Sequence, residues 1–283
     1  MKKLKLLSTG LMLICVCGML QSQNSISDPA NPADITTWHG KTVMYFSPHP
    51  DDELVSSGTL AILTKNGNTV YLVVLTNGSA GTHDYTMSRK RLAQIRKQED
   101  IAANKKIGIP KENIFFLGYD DGMLEYVPQK EIVEKVCQFI RKYKPDAVFT
   151  LNPGDKYLIW HKTDHRATAL LTVDGARAAA YHLVFPDHFV KEGLKSHIVR
   201  DWFFYESDGL VLDANYKVDI TNTADLKWQA ACQHTSQMGS GNMKYTGSEI
   251  SPEDKEKLKE MITKDADGKV YEQFHRLQES LSY

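Results

Sequence analysis

Apolar runs and helical stretches alternate along most of this chain of 283 residues, and this alternation constrains the fold more than any other feature. Two of the runs, Thr42–Phe46 and Thr69–Thr76, are continuously apolar and rich in β-forming residues, as in strands covered on both faces. The stretch between them, Leu54–Asn66, has apolar residues at helical spacing and ends at Gly67. This order predicts a strand, helix and strand unit.

The same alternation continues further along the chain. A helical stretch over Met87–Ile107 precedes an apolar run over Ile114–Leu117. A second helical stretch, Gln129–Tyr143, precedes the run Ala147–Leu151. Four strand and helix repeats in a row predict an α/β fold with a doubly wound, mostly parallel sheet, right-handed crossovers and helices on both faces.

The rest of the chain shows no internal repeat and no low-complexity tract. Without an N-terminal segment, about 260 residues remain, a length that fits one large α/β domain. We therefore expect a single domain. The remaining predicted elements are helices over Thr163–Ala180, Ala224–Met238 and Pro252–Ser280, and strands over Val199–Glu206 and Gly209–Val218.

The first two dozen residues differ in composition from the rest of the chain. Lys2, Lys3 and Lys5 precede an apolar run from Leu6 to Leu20, and a polar stretch comes next. This is the three-part shape of a secretory signal, and the apolar run is short for a membrane span. We expect an exported protein, periplasmic or extracellular, with a retained N-terminal anchor as the alternative. The expected organisation is a signal peptide (residues 1–24), an irregular lead-in (25–40) and one folded domain (41–283).

Charge and cysteine content limit the other classes of protein. The formal net charge of -1 gives no electrostatic attraction to nucleic acid or to an anionic membrane. Beyond the expected signal, the cysteines are Cys137 and Cys232. They could form one disulfide in an oxidising compartment, but both lie in helical patterns that are typical of buried thiols. We assign neither of them a catalytic role, and the number of subunits stays open.

Polar side chains gather where the predicted strands end, which is where open parallel sheets bind their ligands. His49, Asp51 and Asp52 follow the first strand directly, and Pro50 restricts the turn. The two carboxylates could simply complement the positive end of the helix that begins there. However, two adjacent carboxylates that converge with a histidine in a cleft repel each other and shift one another's pKa. A divalent metal ion would remove that conflict.

The spacing of the candidates fits a hydrolytic zinc site, which commonly has three nitrogen or oxygen ligands and one open position for water. His49 and Asp52 supply two ligands, and His165, near the start of the helix after the fourth strand, is the best third. Imidazole and carboxylate suit Zn²⁺, with iron or another divalent ion as the alternative. Asp51 is left beside the metal, where it can accept a proton from water as a general base.

The segment Ser47-Pro48-His49-Pro50-Asp51-Asp52-Glu53 resembles the opening motif of the PIG-L/LmbE family of zinc-dependent N-acetylglucosamine deacetylases. Several further stretches resemble the family in the same order, over residues 41 to 240. Such agreement in order over that length argues against coincidence. The stretches are Thr76-Asn77-Gly78, Ile95-Arg96-Lys97-Gln98-Glu99, Ala102-Ala103, Leu117-Gly118-Tyr119-Asp120-Asp121-Gly122, Asp164-His165-Arg166-Ala167 and His234-Thr235-Ser236-Gln237.

The resemblance implies a Rossmann-like fold, in agreement with the predicted sheet, and it implies roles for single positions. By this resemblance, His49, Asp52 and His165 bind Zn²⁺. Asp51 is the general base. Arg96 binds substrate, although composition alone would place it on a solvated face of an Arg- and Lys-rich helix.

Two further aspartates allow more than one interpretation. Asp121 belongs to an Asp-Asp-Gly sequence that is common in turns, and its predicted place at a strand end makes it a candidate for substrate binding. Asp164 could orient a metal-bound imidazole. It could equally cap the helix that begins near Thr163.

The loop before His165 departs from the family pattern. The family usually has His-Pro-Asp-His, whose first histidine assists the reacting carbonyl or the leaving group, whereas this chain has Trp160-His161-Lys162-Thr163-Asp164-His165. Either His161 reaches the site through a one-residue adjustment of the loop, or Lys162 supplies the positive charge. We assign His161 to catalysis and Lys162 to substrate binding. Tyr157 is a candidate for polarising the oxyanion.

The sequence thus predicts an exported zinc-dependent hydrolase that removes an N-acetyl group from an N-acetylglucosamine-type sugar or glycoconjugate. Two alternatives remain open. One is a metal-dependent hydrolase of another amide or an ester. The other is a carbohydrate-binding relative that keeps the fold without the chemistry.

Overall fold

The computed structural model describes residues 34–154, 163–209, 211–247 and 249–279. Within these ranges, seven strands form one sheet. The strands are β1 (Thr42–Ser47), β2 (Thr69–Thr76), β3 (Ile114–Tyr119), β4 (Ala147–Leu151), β5 (Asp201–Tyr205), β6 (Tyr216–Asp219) and β7 (Tyr271–Leu277).

Helices of the described residues connect the strands and cover the sheet. The α-helices are α1 (Ser57–Lys65), α2 (Arg89–Lys106), α3 (Gln129–Tyr143), α4 (Thr163–Ala180), α5 (Asp187–Val190), α6 (Ala224–Ala231) and α7 (Pro252–Lys257). Short 3-10 helices lie at Ile35–Thr37, Asp52–Ser56, Lys111–Asn113, Leu124–Tyr126, Gly239–Asn242 and Leu258–Ile262.

The strand order is β3-β2-β1-β4-β5-β7-β6, so the chain adds strands first on one side of β1 and then on the other. The neighbours among β1 to β5 pair in parallel, whereas β7 pairs antiparallel with both β5 and β6. The predicted doubly wound, mostly parallel sheet is confirmed, with an antiparallel edge added. The carboxyl ends of β1 and β4 are neighbours at the switch point, where such sheets bind ligands.

The two faces of β1 belong to two different cores, as the alternation of side chains along a strand requires. Val43 and Tyr45 pack in a core with residues of α1 and α6, whereas Met44 and Phe46 pack in a core with residues of α3 and α4. Helices therefore cover both faces of one sheet. The predicted single α/β domain is confirmed.

The sequence-based elements agree with the structure best in the first two thirds of the chain. Helices α3 and α4 begin and end at the predicted residues. The predicted strand Gly209–Val218 is reduced to Tyr216–Asp219, and the predicted helix Ala224–Met238 ends at Ala231. The helix ends early because the following residues turn toward α2, where Glu99 accepts hydrogen bonds from them.

The predicted helix Pro252–Ser280 is wrong over most of its length, because this segment contains the strand β7. Every second residue of β7 is buried, including Glu272, Phe274 and Arg276. The two charged residues of this face are paired inside the protein, Glu272 with Lys227 at 2.6 Å and Arg276 with Asp201 at 2.6 Å. Charged residues on the buried face concealed the period of two that marks a strand.

The open question about the cysteines is answered by the structure, in which Cys137 and Cys232 are both free. Cys137 lies on the buried face of α3, and burial raises the pKa of its thiol to about 11. Among the described residues, no helix combines the length and apolar character that a membrane span needs. The predicted signal peptide, residues 1–24, lies outside the described residues.

Candidate metal centre

The candidate ligands come from two neighbouring strands at the switch point of the sheet. His49, Asp51 and Asp52 follow β1, and His165 is the third residue of α4, which follows β4. Because β1 pairs with β4, residues 116 positions apart in the chain come into contact. The fold therefore brings together the residues that the sequence grouped.

The three predicted ligands point donor atoms at one place. His49 Nδ1 lies 2.9 Å from Asp52 Oδ2 and 3.2 Å from His165 Nε2, and His165 Nε2 lies 3.5 Å from Asp52 Oδ2. Donor atoms about 2.0 to 2.1 Å from a tetrahedral zinc ion are about 3.3 Å apart, so this spacing fits a metal ion at their centre. These three residues form one of the described groups able to hold a metal ion.

Two carboxylates on the far side of His49 support the same interpretation. Its Nε2 lies 3.0 Å from Asp164 Oδ2 and 3.1 Å from Asp121 Oδ1. A carboxylate accepts a hydrogen bond, so Nε2 carries the proton, and the lone pair of neutral His49 is on Nδ1, directed at the other two donors. Without a metal ion, burial lowers the pKa of His49, but the hydrogen bonds to Asp121, Asp164 and Asp52 outweigh it and raise the pKa well above its usual value. A metal ion bound at Nδ1 would therefore displace a proton.

Asp164 links the loop after β3 to the metal centre. Its carboxylate accepts hydrogen bonds from the backbone N–H groups of Gly122 at 2.7 Å and Leu124 at 2.9 Å. Burial would raise the pKa of Asp164, but the hydrogen bonds from His49 and from these two backbone groups lower it. Asp164 therefore orients an imidazole, and that imidazole is His49 rather than the adjacent His165.

Asp121 lies between the metal centre and the loop after β2. One carboxylate oxygen faces His49, and the other accepts a hydrogen bond from the backbone N–H of Ala80 at 2.7 Å. Burial would raise the pKa of Asp121, but the hydrogen bond to His49 and the charges of His49 and Arg96 lower it. Asp121 also lines the pocket at this site, and its role in substrate binding stays a prediction.

Asp51 has an unusual backbone conformation. Its φ is 131° and its ψ is -17°, a region that residues with a side chain rarely adopt and that costs about 1 to 3 kcal/mol. Its carboxylate lies 2.8 Å from Arg96 Nη2. The side chain of Asp51 is partly buried, with 19% of its surface exposed to solvent. The backbone N–H of Asp51 donates to Glu53 Oε2 at 3.2 Å. The strain places the carboxylate at the pocket while His49 and Asp52 point to the metal position.

Arg96 is buried at this site and does not lie on a solvated face. Besides Asp51, its guanidinium donates to the carbonyl oxygens of Pro50 at 2.9 Å and Gly78 at 3.0 Å. A Cβ at Gly78 would lie 2.8 Å from Pro50 Cδ and 2.9 Å from Arg96, and the φ of Gly78 is +62°. Glycine is therefore required in the Thr76-Asn77-Gly78 stretch so that Arg96 can reach the loop that carries Asp51.

The role of Glu99 was missed from the sequence. Its carboxylate accepts hydrogen bonds from Thr235 Oγ1 at 2.7 Å, from the backbone N–H of Ser236 at 2.8 Å and from Ser236 Oγ at 2.6 Å. These bonds hold the turn that places Gln237 at the pocket. The two stretches involved both resembled the family, but no pattern in the sequence showed that they contact each other.

A buried polar cluster that was also missed lies next to Asp51. Asn104 Nδ2 donates to Glu53 Oε1 at 3.0 Å and to Asp100 Oδ1 at 3.2 Å. Burial raises the pKa of Glu53 to about 7. His234 lies 4.0 Å from Glu53, and burial together with the charge of Arg96 lowers its pKa to about 3. The imidazole of His234 is therefore neutral at physiological pH.

The metal centre opens into a pocket with a volume of about 500 Å³. Asp51, Arg96 and Asp121 line it at the metal end. Tyr157, His161 and Lys162, predicted to take part in catalysis and substrate binding, lie outside the described residues. Among the described residues, the pocket is also lined by His49, Asp52, Leu54, Val55, Ala80, Gly81, Thr82, His83, Ser207, Gln237, Met238, Asn242 and Met261.

Comparisons with known proteins show which family this chain resembles. The family model PIG-L, described as GlcNAc-PI de-N-acetylase, matches residues 44–176. A diacetylchitobiose deacetylase of Thermococcus kodakarensis is 30% identical over 198 residues, 70% of this chain and 70% of that protein. A 1D-myo-inositol 2-acetamido-2-deoxy-alpha-D-glucopyranoside deacetylase of Kineococcus radiotolerans is 23% identical over 222 residues, 61% of each.

A solved structure also resembles this chain over most of its length. It is an N,N'-diacetylchitobiose deacetylase from Pyrococcus horikoshii, in complex with an inhibitor. The TM-score is 0.69 at 26% sequence identity, and the match covers 84% of each chain. The similarity therefore extends well beyond the residues matched by the family model.

Proposed function

This chain belongs to the PIG-L family, and on that premise we propose that it is a zinc-dependent hydrolase that removes the N-acetyl group from an N-acetylglucosamine-type sugar or conjugate. As a member of the family it is a deacetylase, an enzyme that hydrolyses an amide bond. The observation that carries the proposal is the convergence of His49, Asp52 and His165 beside the carboxylate of Asp51.

The substrate class in this proposal is supported by the relatives. Two of them are deacetylases whose names specify an acetamido sugar joined to a further group, a second sugar in one and inositol in the other. Their shared reactive group is the N-acetyl group of an amino sugar. We therefore propose the same reactive group here and leave the attached group to be defined by experiment.

The donor set supports Zn²⁺ as the metal ion. Two imidazole nitrogens and one carboxylate oxygen leave a fourth tetrahedral position open, as in catalytic zinc sites. When bound there, Zn²⁺ would polarise the acyl oxygen and make a nearby water more acidic. His49, Asp52 and His165 would hold it, with Asp164 and Asp121 orienting His49 from behind.

Asp51 carries the proton transfers in the proposed reaction. Its carboxylate takes a proton from the attacking water while the water oxygen bonds to the acyl carbon. The bond from that carbon to nitrogen then breaks, and Asp51 returns the proton to the departing amine, so that acetate and a free amino sugar are released. Arg96 holds the carboxylate of Asp51 in place through the contact at 2.8 Å.

The test is release of free amine from a panel of N-acetylated sugars by wild-type protein and the Asp51→Asn variant, both loaded with Zn²⁺. We expect the variant to bind Zn²⁺ like the wild type and to lose about 10²- to 10⁴-fold in kcat, the usual contribution of a general base. Metal content is measured on the same samples. The wild type should release acetate and amine in equal amounts.

Asp120→Asn is the matched control, because Asp120 lies in a neighbouring loop, is largely exposed and does not line the pocket. This variant should keep wild-type activity. If zinc-loaded Asp51→Asn keeps turnover near the wild-type value, Asp51 is not the general base. Hydrolysis of simple esters or other amides, with no acetamido sugar accepted by the wild type, would support the alternative substrate class instead.

We also propose that the protein is exported, on the basis of the basic start and the apolar run from Leu6 to Leu20. Expression of the full chain in a bacterial host, followed by mass spectrometry of the mature N-terminus, tests this. We expect cleavage near residue 24 and recovery of the protein from the periplasm or the medium. An uncleaved chain in the membrane fraction would instead support a retained anchor.

A further inference from the structure

Two segments outside the metal centre join to form one side of the pocket. They are residues 80–86 and 237–245, which we call the outer wall. The backbone oxygen of Asn242 accepts hydrogen bonds from His83 N at 2.9 Å and Thr82 Oγ1 at 3.0 Å, and Asn242 Nδ2 donates to Gly81 O at 3.2 Å. These bonds connect segments about 160 residues apart in the chain, so the outer wall is a single structural unit.

Side chains from inside the domain also fix the outer wall. The turn before residue 237 is held by the three hydrogen bonds to Glu99. Within the wall, the buried carboxylate of Asp84 accepts hydrogen bonds from Thr86 N at 2.9 Å, Thr86 Oγ1 at 2.6 Å and Tyr245 N at 3.1 Å. The wall is therefore organised before any ligand binds, and this limits the entropy lost on binding.

The inner face of the outer wall combines hydrogen-bonding groups with apolar surface. The polar residues Thr82, His83, Gln237 and Asn242 line the pocket together with the apolar residue Met238. A sugar residue presents both hydroxyl groups and apolar ring faces. Pockets for such ligands have mainly apolar walls with a few placed polar groups.

The outer end of the wall leaves the pocket and carries exposed apolar side chains. Tyr85 is fully exposed and lies two residues after the pocket residue His83. Met243 is largely exposed and follows the pocket residue Asn242. An exposed tyrosine alone is common on protein surfaces, but this one lies on the turn that Asp84 organises. A rigid aromatic side chain gives a large contact area at a small entropic cost.

The outer wall is partly separate from the region that defines the family. The family model matches residues 44–176, so the segment 237–245 lies beyond it. The metal ligands and Asp51 all lie within the matched range. Residues 80–86, including Tyr85, lie within the matched range too, so the part of the wall outside it is the segment 237–245.

We propose that the outer wall is a binding surface for the sugar residues attached to the one that is deacetylated, with Tyr85 stacking on a ring at its outer end. This rests on the proposed function, and it specifies the substrate as an N-acetylated oligosaccharide longer than the pocket itself. The surface is continuous with the pocket through His83 and Asn242. A glycan chain that begins at the metal centre meets the wall next.

The experiment uses the zinc-loaded full chain and N-acetylglucosamine oligomers of increasing length, from the monosaccharide to the tetramer. Both kcat/KM for deacetylation and binding by calorimetry are measured. In the wild type we expect kcat/KM to rise with chain length. Replacing Tyr85 by Ala should lower the ratio of kcat/KM for the tetramer to that for the monosaccharide by about fivefold to tenfold.

Two further variants separate stacking from general effects. Tyr85→Phe keeps the aromatic ring and should keep the wild-type dependence on chain length. Leu183→Ala removes another exposed apolar side chain, one outside the pocket and the wall, and should change nothing. Loss of the dependence in Tyr85→Phe as well would overturn the stacking contact.

The outcomes also distinguish this inference from the proposed function. If the wild type deacetylates the monosaccharide and the tetramer equally well, or if Tyr85→Ala keeps the preference for the tetramer, the wall is not such a surface and the proposed function stands. If the tetramer binds in a manner that depends on Tyr85 but no acetyl group is released, the surface stands and the proposed function fails.

Discussion

At the scale of single residues, the backbone of Asp51 is the least expected feature of the site. His49 and Asp52 must both direct donor atoms to one point, and only two residues lie between them. The chain meets this demand with a φ of 131° at Asp51. The sequence indicated which residues would meet at the site, but not this conformation, because glycine is the residue that normally marks a positive φ.

We expect Asp51→Gly to be more stable than Asp51→Ala by about 1 kcal/mol in free energy of unfolding, because glycine adopts this φ without strain. Both variants lose the contact with Arg96, so that loss cancels in the comparison. At an unstrained site the order is the reverse, since glycine increases the entropy of the unfolded chain. Denaturant unfolding of the metal-free proteins measures the difference. Equal stability, or the reverse order, would show that Asp51 stores no strain.

A second prediction at this scale concerns Asp164, which orients His49. Asp164→Asn replaces one carboxylate oxygen by an amide nitrogen, so the side chain can no longer accept all three of its hydrogen bonds. We expect the affinity for Zn²⁺ to fall about 10- to 100-fold, as for other residues that support metal ligands. Titration with zinc against a competing chelator measures this.

The matched control for Asp164 is Asp174→Asn, an exposed aspartate in the same helix. It should keep the affinity of the wild type. If Asp164→Asn binds zinc as tightly as this control, the carboxylate does not tune His49, and its contacts with Gly122 and Leu124 are purely structural.

At the scale of secondary-structure elements, the sequence correctly predicted the elements whose apolar residues recur with the period of a helix or a strand. Helix α3 has a strongly apolar face and was predicted to the residue. Strand β7 was predicted as helix, because Glu272 and Arg276 occupy buried positions that a sequence pattern expects to be apolar. Their partners, Lys227 and Asp201, lie 45 and 75 residues away in the chain. No local pattern contains that information.

The pair of Glu272 and Lys227 gives a prediction about how β7 is held. Glu272 also accepts hydrogen bonds from the backbone N–H groups of Gly58 and Thr59 at the start of α1. We expect Glu272→Ala to lower the free energy of unfolding by about 3 to 5 kcal/mol, since it leaves the buried ammonium group of Lys227 without its carboxylate. Denaturant unfolding measures the change.

A double variant shows how much of that loss comes from the unpaired charge. Combining Glu272→Gln with Lys227→Met removes both charges, and it should be considerably more stable than Glu272→Ala. Lys255→Ala breaks an exposed pair with Glu249 and should cost less than about 1 kcal/mol. If Glu272→Ala costs no more than Lys255→Ala, the buried pair is not what holds β7.

At the scale of the whole molecule, the candidate site was predictable where it depends on topology and unpredictable where it depends on contacts across the fold. The ends of β1 and β4 meet because of the strand order, so His49, Asp52 and His165 could be grouped from the sequence. The contact of Asp164 with His49 and that of Glu99 with Ser236 depend on loop paths. These paths are set by packing and leave no periodic signal.

The response of the whole fold to acid is a further prediction, and it depends on His234. Its pKa is about 3 in the folded protein, first because of burial and then because of the charge of Arg96, against about 6.5 when unfolded. As the pH falls, His234 is therefore protonated in the unfolded state before it is protonated in the folded state. This difference lowers the free energy of unfolding as the pH drops from about 6.5 toward 3. Within this pH range, we expect His234 to lower the free energy of unfolding by up to about 1.4 kcal/mol per pH unit.

The test compares metal-free wild type with His234→Phe by denaturant unfolding at several pH values. The variant should lose less stability than the wild type between pH 6.5 and pH 4. His182→Phe, which changes an exposed histidine, should follow the wild-type curve. Parallel curves for the wild type and His234→Phe would contradict a neutral, buried His234.

The position of β7 between β5 and β6 has a consequence for the synthesis of the chain. Within the described residues, β6 reaches the sheet only through β7, and the bonded residues Asn215 and Arg276 are 61 positions apart. A ribosome therefore releases the candidate metal ligands and the five parallel strands before β7, the partner of β6, has been synthesised. The strands that carry the candidate metal ligands can therefore pair early, but the sheet is complete only once β7 has been synthesised.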